Sequence, residues 1–289
     1  MRIEGLKCRE EQVKIMGIKL VASDPDGTLF TDEKTISDET RRTLEEIAEK
    51  GILFIPCTGR AFASVPELVQ TLPGVQYMIV SNGAAIYRVE DGERIYGCKL
   101  SVDSVERILE LPMSEEMTFE VQIQGQSYTE QRYIDDPARF GATGFGVQYI
   151  RTTRHAVEDI QAFAQKHKAE LDGMAFVSAD QMLRESFWKQ LEDSAQDIRI
   201  TSSIPHLIEI GHIDADKGKT LGHFLQMRGI PADEAMAFGD AGNDISMLTA
   251  VRYGFAMANA TDECKAAAYA VAEENNADGV AKMIRKYCL

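Results

Sequence analysis

Short apolar runs alternate with amphipathic segments over the first ninety residues. The apolar runs predict buried strands at 18–22, 52–55 and 77–80. Ser37 is suited to cap an intervening helix that Gly51 ends. A second helix is predicted from an apolar stripe that runs from Phe62 to Leu72. Strands that alternate with helices in this way are typical of a doubly wound parallel sheet.

The pattern changes after residue 83. The segments AAIYR and RIYG predict a hairpin, and residues 101–205 mix antiparallel strands with helices. Strand-helix alternation returns with a predicted strand at 207–210. We therefore predict an α/β fold: a doubly wound, Rossmann-like parallel-sheet core at 16–100 and 206–289, with an inserted α+β cap domain at 101–205. Residues 1–15 are predicted to be an N-terminal extension, with natural translation starting at Met16.

Composition and charge narrow the class of protein. Hydrophobic residues make up 44% of the 289 residues and charged residues 27%, which excludes a disordered chain. The net charge of −15 disfavours binding to nucleic acid. The chain has five cysteines and no C-x-x-C pair, and its apolar runs are shorter than the roughly 18 residues that cross a bilayer. We expect a cytoplasmic protein without membrane or nucleic-acid partners; the sequence leaves its oligomeric state open.

A pair of carboxylates follows the first predicted strand. Asp24 and Asp26 are two residues apart at a strand end, so both can face one reacting centre. One carboxylate can attack phosphorus while the other exchanges a proton with the leaving group and with water. Mg²⁺ would offset their joint negative charge. The alternatives are a solvated turn or a calcium loop, and Thr28, Leu29 and Phe30 supply none of the further acids that a calcium loop needs.

Two further polar sites are predicted at strand-to-helix turns. Thr58 and Gly59 follow the second strand, where a hydroxyl and backbone N–H groups can hold a phosphate oxygen. The alternative is that Thr58 only caps the helix. Lys217 lies at a predicted helix start, where the helix dipole disfavours a cation unless an anion is close. Lys219 nearby shows that solvated lysines are equally ordinary there.

An acidic cluster follows the predicted strand at 235–238. Asp240, Asn243 and Asp244 offer carboxylate and amide oxygens at a strand end and a helix start. Such groups are suitable ligands for a hard cation. The alternative is an ordinary N-capping cluster.

The order of these motifs resembles the haloacid dehalogenase-like superfamily, and in particular its Cof-type hydrolases. The motifs are D-x-D-G-T at 24–28, T-G-R at 58–60, Lys-Gly at 217–218 and G-D-x-x-N-D at 239–244. The flanking segments SNGAAIY and AMANATDECKAAA are also similar to that branch. The resemblance covers both core parts, whereas the cap matches only in position and approximate size.

The resemblance implies a magnesium-dependent phosphatase that works through a phospho-aspartate. Asp24 would be the nucleophile and a Mg²⁺ ligand. Asp26 would be the general acid and base and would lend its backbone carbonyl to Mg²⁺. Thr58 and Gly59 would hold the transferring phosphoryl group, and Lys217 would neutralise that group and orient Asp24.

The acidic cluster would complete the site that the resemblance implies. Asp240 would bind Mg²⁺, with Asn243 and Asp244 beside it, through water or against the phosphate. The expected substrate is a small phosphorylated metabolite, with a sugar phosphate as the first expectation.

Pro25 departs from the family pattern, which more commonly has a residue with a free N–H between the two aspartates. Proline cannot donate to a phosphoryl oxygen, so we expect slow turnover or a substitute donor from the cap. An alternative is therefore a binding or regulatory protein that holds a phosphate ligand and has a low turnover. A sugar phosphomutase of the same superfamily is another. A signalling receiver domain would need only about 120 residues and no inserted cap, as the size of such small domains indicates.

Overall fold

The computed structural model describes residues 17–289. The predicted N-terminal extension and the predicted start at Met16 lie outside these described residues. Within 17–289, no helix is both long enough and apolar enough to cross a membrane.

The secondary structure of residues 17–289 alternates between strands and helices. The strands are β1 Leu20–Ser23, β2 Leu53–Pro56, β3 Tyr77–Val80, β4 Ala85–Arg88, β5 Arg94–Gly97, β6 Thr118–Ile123, β7 Gln126–Glu130, β8 Arg154–Val157, β9 Leu171–Val177, β10 Ile198–Thr201, β11 Leu207–His212, β12 Ala235–Gly239, β13 Tyr253–Ala256 and β14 Ala270–Val271. The α-helices are α1 Asp38–Glu49, α2 Glu67–Gln70, α3 Val102–Leu109, α4 Gln131–Asp135, α5 Phe145–Thr153, α6 Ile160–Lys166, α7 Gln181–Ser194, α8 Lys217–Arg228, α9 Ile245–Ala250, α10 Asp262–Ala267 and α11 Gly279–Cys288.

The core sheet is parallel, as predicted, and has the order β14-β13-β12-β1-β2. All four residues of β1 are buried, because β1 lies between two other strands and under packed layers on both faces. The predicted third strand, β3, joins this sheet only through isolated parallel bridges such as Cys57 to Ile79. Its continuous pairing is antiparallel, with the predicted hairpin of β4 and β5.

The helices of the first half follow the sequence pattern with one correction. Ser37 caps α1 as predicted, accepting a hydrogen bond from the Thr40 N–H at 3.0 Å. The single helix predicted between Phe62 and Leu72 is wrong, because the segment divides into a short 3₁₀ turn and α2. Pro66 separates the two; proline lacks an N–H and forces the preceding Val65 into an extended conformation.

The inserted segment forms a second, mainly antiparallel sheet with the order β10-β11-β9-β6-β7-β8, which we call the cap sheet. The prediction that residues 207–210 return to the core sheet is wrong, because β11 pairs with β9 and β10 of the cap sheet. The side chains of β11 alternate between two faces and suit this sheet. Ile208 and Ile210 enter the apolar cluster of the cap, and Glu209 faces the opposite side. The chain returns to the core with α8.

The polar face of the cap sheet lies against the core. On β6, Phe119 and Val121 enter the apolar cluster of the cap, whereas Gln122 points the other way and donates to the Gly59 carbonyl at 3.3 Å. Glu209 of β11 also reaches a core residue from this face. The cap sheet therefore places polar side chains over the strand ends of the core.

Candidate active site

Neighbouring parallel strands bring the predicted site residues to one edge of the core sheet. Ser23 of β1 is in register with Pro56 of β2 and with Phe238 of β12. The residues that follow these positions, Asp24, Thr58 and Asp240, therefore lie at the same carboxyl edge. This edge is where open α/β sheets bind ligands.

The ammonium group of Lys217 lies between two carboxylates in the interior. Its Nζ is 2.6 Å from Asp24 Oδ1 and 2.6 Å from Asp244 Oδ1, and the residue is 0% exposed. Burial opposes the charged form, but the two carboxylates outweigh burial and raise the pKa of Lys217. Asp216 caps α8 by accepting from the Gly218 N–H at 2.9 Å, which supplies negative charge at the helix start. The lysine is therefore a permanent, fixed positive charge.

The surroundings of Asp24 contain more negative than positive charge. Burial raises its pKa well above the ordinary value; Lys217 lowers it, and the neighbouring Asp244, Asp240 and Asp26 raise it again. The backbone N–H of Asp24 donates to the Phe238 carbonyl at 3.0 Å, which fixes the start of the turn. Lys217 alone does not balance the charges of Asp24, Asp240 and Asp244, so further positive charge is needed to keep all three ionised.

Asp244 is anchored by the backbone. Its Oδ2 accepts hydrogen bonds from the N–H groups of Asp240 at 3.0 Å and Ala241 at 3.1 Å, and the residue is buried. The other oxygen, Oδ1, receives the Lys217 hydrogen bond. Both oxygens of Asp244 are thus engaged within the protein, which fits a residue that organises the site.

Asp240 faces the turn that carries the two aspartates of the D-x-D motif. Its Oδ1 accepts from Thr28 Oγ1 at 2.9 Å. Burial, followed by the negative charge of Asp244, raises the pKa of Asp240 to about 6, against the opposing effect of the Thr28 hydrogen bond. Gly27 has a φ of +80°, and a Cβ there would lie 2.4 Å from Asp240 Oδ2. Glycine is therefore required for the turn to approach this carboxylate.

The arrangement of acids fits a small divalent cation. One oxygen from each of Asp24, Asp240 and Asp244 lies within 4.8 Å of the others. Oxygen ligands around an octahedral ion with bonds of about 2.0–2.1 Å are themselves about 3–4 Å apart. The hard oxygen donors and the unbalanced negative charge both favour a divalent metal ion at this point. The carboxylate of Asp26 does not belong to this group.

Asp26 is instead held by two cations. Arg60 donates to it through Nε at 2.8 Å and Nη2 at 3.0 Å, and Lys34 Nζ is 2.9 Å from Oδ1. Burial alone would raise the pKa of Asp26, but the hydrogen bonds and charge of Arg60, with those of Lys34, lower it to about 2. The carboxylate form is thus strongly favoured here. The sequence analysis identified Arg60 as part of the T-G-R motif but did not predict that it binds Asp26.

Thr58 and Gly59 follow β2 as predicted. Thr58 Oγ1 accepts from the Arg60 N–H at 3.1 Å, which is a local turn contact. The next helical segment begins at Phe62 with Ala61 in the cap position, so Thr58 is not the helix cap of the alternative interpretation. A Cβ at Gly59 would lie 2.9 Å from Glu209 Oε1 and 3.0 Å from Asn82 Oδ1. The absence of a side chain at Gly59 therefore lets both groups come close to the predicted phosphate position.

A polar network that sequence reasoning missed joins Asn243 to the cap. Asn243 Nδ2 donates to Asn82 Oδ1 at 3.0 Å, and Asn82 Nδ2 donates to Glu209 Oε1 at 2.9 Å. Asn82 has a φ of +53°, a conformation that asparagine tolerates better than most residues. The S-N-G turn after β3 was the available signal for Asn82, whereas nothing in the sequence identified Glu209.

Comparisons with known proteins agree with this geometry. The family model for haloacid dehalogenase-like hydrolases matches residues 21–284. The chain is similar to phosphatase YwpJ of Bacillus subtilis, with 30% identity over 93% of this chain and 99% of that protein. It is also similar to 5-amino-6-(5-phospho-D-ribitylamino)uracil phosphatase YcsE of Bacillus subtilis, with 27% identity over 94% of this chain and 96% of that protein.

A solved structure extends the similarity to the whole fold. The structure of a haloacid dehalogenase-like hydrolase from B. subtilis superposes with a TM-score of 0.79 and 29% identity, covering 93% of this chain and 99% of that chain. The family match spans both core parts and the inserted cap, which confirms the resemblance and the fold class. The chain therefore belongs to the haloacid dehalogenase-like hydrolase family, in its Cof-type branch, and is a phosphoric monoester hydrolase.

Proposed function

We propose that this protein is a Mg²⁺-dependent phosphatase of a small phosphorylated metabolite and that it acts through a phospho-aspartate at Asp24. The observation that carries the proposal is the buried ammonium of Lys217, 2.6 Å from Asp24 and 2.6 Å from Asp244 beside a group of three carboxylates. A lysine in this position orients Asp24 and offsets the charge of an arriving phosphoryl group.

In the first half of the reaction, Asp24 forms a bond to phosphorus as the ester P–O bond breaks. The electron pair of that bond goes to the leaving oxygen, which takes a proton from the Asp26 carboxyl group. In the second half, Asp26 as a carboxylate removes a proton from water, the water oxygen attacks phosphorus, and the bond to Asp24 breaks. Asp24, Asp240, the Asp26 carbonyl and Asp244 would hold Mg²⁺, directly or through water, and the ion would supply positive charge for the phosphoryl oxygens.

The state of Asp26 in the structure suits the second half of this reaction. Its pKa of about 2 makes it a carboxylate, ready to accept a proton from water. Negative charge from a bound phosphate ester would raise this pKa, since like charges disfavour ionisation. Substrate binding thereby shifts Asp26 in the direction of the protonated form that the first half requires.

Thr58, Gly59 and Asn243 are the proposed holders of the phosphoryl oxygens. Thr58 Oγ1 accepts from the Arg60 N–H, which leaves its own proton free to point at a phosphoryl oxygen. Asn243 is buried and lies on the turn that also carries Asp240 and Asp244. Thr58 and Gly59 follow β2 and Asn243 follows β12, the two strands that flank β1 and Asp24.

The proposed leaving group is hydroxyl-rich, with a sugar phosphate as the first candidate. A cavity between cap and core is lined by Gly59, Asn82, Gln122, Thr201 and Glu209, among others. These amide, hydroxyl and carboxylate groups are complementary to the hydroxyls of a sugar or a sugar alcohol. The name of the relative YcsE includes a phosphorylated ribityl chain, which is consistent with such a substrate.

We also propose that the cap domain extends beyond the predicted 101–205. The strand β11, which ends at His212, hydrogen-bonds only within the cap sheet among the described strands. The core would then consist of about 17–100 and the segment that starts at the loop before α8.

Replacing Lys217 tests the central ion pair. Lys217→Met leaves Asp24 and Asp244 as buried like charges, so the free energy of unfolding should fall by about 3–5 kcal/mol and activity should be lost. Urea denaturation measures the first effect and phosphate release the second. Lys219→Met is the matched control: Lys219 is 56% exposed and pairs with the exposed Asp214, so little change is expected. Equal stability of the two variants would contradict the assigned contact.

The binding of Mg²⁺ should weaken as the pH falls through about 6. The pKa of Asp240 is raised to about 6, so this carboxyl gains a proton at a higher pH than an ordinary aspartate does. One competing proton lowers the apparent affinity by roughly tenfold between pH 7 and pH 5. Isothermal titration with MgCl₂ measures the affinity. Asp240→Asn should bind more weakly at pH 7 and should have a smaller pH dependence, the remainder coming from Asp24, whose pKa is also raised; an unchanged pH dependence would exclude Asp240 as a titrating group.

A screen of metabolite phosphates tests the activity itself. Phosphate release should require Mg²⁺ and should favour sugar or sugar-alcohol phosphates over nucleotides. Asp24→Asn should lower kcat by roughly a thousandfold or more, as expected for a lost nucleophile. Formation of an isomeric sugar phosphate without free phosphate would favour the phosphomutase alternative. Tight binding with no turnover of any compound would favour the regulatory alternative.

A further inference from the structure

Two guanidinium groups lie over one aromatic ring of the cap beside the candidate active site, and we call this group of three side chains the stack. The ring of Tyr149, on α5, has its centroid 4.1 Å from Cζ of Arg60 and 4.5 Å from Cζ of Arg154. Arg60 belongs to the core, whereas Tyr149 and Arg154 belong to the cap. Both distances are well inside the roughly 6 Å at which a cation and a ring attract each other.

The cap side of this stack is rigidly supported. Arg154 donates through Nε and Nη2 to the two oxygens of Glu120, each at 2.7 Å. The side chains of Arg154 and Glu120 are 9% and 4% exposed. A two-bonded ion pair of this kind fixes both side chains. Tyr149 therefore rests on a support that moves only with the cap.

On the core side, the guanidinium of Arg60 also contacts Asp26. The guanidinium of Arg60 lies over the Tyr149 ring, and its Nε and Nη2 bind the two oxygens of Asp26. The Asp26 side chain is 34% exposed, so water is an available competitor for its oxygens. Lys34, the other cation on Asp26, belongs to the core, whereas Arg60 also contacts the cap. The cap therefore acts on the orientation of Asp26 through Arg60.

We propose that Tyr149 is a positioning residue through which the cap holds Arg60, and through Arg60 the Asp26 carboxyl group, towards the leaving oxygen of the substrate. This inference rests on the proposed function of Asp26. In the step concerned, the bond from Asp24 to phosphorus forms, the ester P–O bond breaks, and the Asp26 proton moves to the leaving oxygen. When the cap lifts, Tyr149 withdraws and Arg60 loses one of its contacts.

If the stack only attached the cap to the core, its loss would change the reaction rates in a different way. Weaker attachment would slow the enzyme on every substrate alike. A role in placing the proton donor matters most when the leaving group is a poor one, because a good leaving group departs without a proton. The dependence on the leaving group therefore separates positioning from attachment.

Two variants of Tyr149 and two substrates test the proposal. Tyr149→Leu removes the ring face, whereas Tyr149→Phe retains it. Phe145→Leu is the matched control, since Phe145 lies on the same helix but is 63% exposed. Each full-length protein is assayed with Mg²⁺ on p-nitrophenyl phosphate, which has a good leaving group, and on an alkyl phosphate such as a sugar phosphate. The measured quantity is kcat/KM, which reports the steps up to formation of the phospho-enzyme, and thermal melting verifies folding.

The expected result is a loss that depends on the leaving group. For Tyr149→Leu, kcat/KM should fall at least about tenfold on the alkyl phosphate and less than about threefold on p-nitrophenyl phosphate, as a misplaced general acid predicts. Tyr149→Phe and Phe145→Leu should stay near the unmodified protein on both substrates. Equal losses of Tyr149→Leu on both substrates, no loss at all, or an equal loss in Tyr149→Phe would overturn the proposal.

Different results would refute the proposed function and the positioning role of Tyr149. An unmodified protein that hydrolyses neither phosphate would refute the proposed function, and with it this inference. An active protein whose Tyr149→Leu variant shows no dependence on the leaving group would refute the positioning role alone.

Discussion

The structure depends on one buried charge, the ammonium of Lys217. Lys217 is 0% exposed, and a buried charge is costly unless it is paired; the carboxylates of Asp24 and Asp244 supply that pairing at hydrogen-bond distance. This requirement ties three separate parts of the chain together: the end of β1, the start of α8 and the turn after β12. It also fixes one oxygen of the buried Asp24 carboxylate, the proposed nucleophile, by a hydrogen bond from Lys217.

Several contacts between cap and core involve residues of the candidate site or residues next to it. Glu209 of the cap reaches Asn82 and, through it, Asn243. Arg199 of the cap forms an ion pair with Asp216, the residue that caps α8 directly before Lys217. With the stack on Arg60, these contacts connect the cap to each side of the site. The cap thus contributes to the arrangement of the active site as well as covering it.

The sequence predicted the site better than its surroundings, for a physical reason. Residues at the ends of neighbouring parallel strands must meet at one edge, so strand order and polar positions together placed Asp24, Thr58 and Asp240 side by side. The partner of Asp26 could not be predicted, because Arg60 reaches it across 34 positions of sequence and nothing local marks that contact. The network through Asn82 to Glu209 depends equally on how the cap docks.

The incorrect predictions concern secondary-structure elements whose form or position depends on neighbouring parts of the chain. The alternation in β11 predicts a strand, but which sheet a strand joins depends on pairing with β9 and β10, which the sequence does not encode locally. The apolar stripe from Phe62 to Leu72 continues through Pro66, so periodicity favoured a helix that the missing N–H interrupts. The role of Pro25 in turnover stays a prediction.

The most direct test of the account is to identify the residue that carries the phosphoryl group. The enzyme is quenched with acid during turnover of a saturating phosphate ester, reduced with borohydride, digested and analysed by peptide mass spectrometry. Reduction converts an aspartyl phosphate to homoserine, so the account predicts homoserine at position 24. Turnover with homoserine at another position, or with a phosphorylated side chain elsewhere and an intact Asp24, would contradict it.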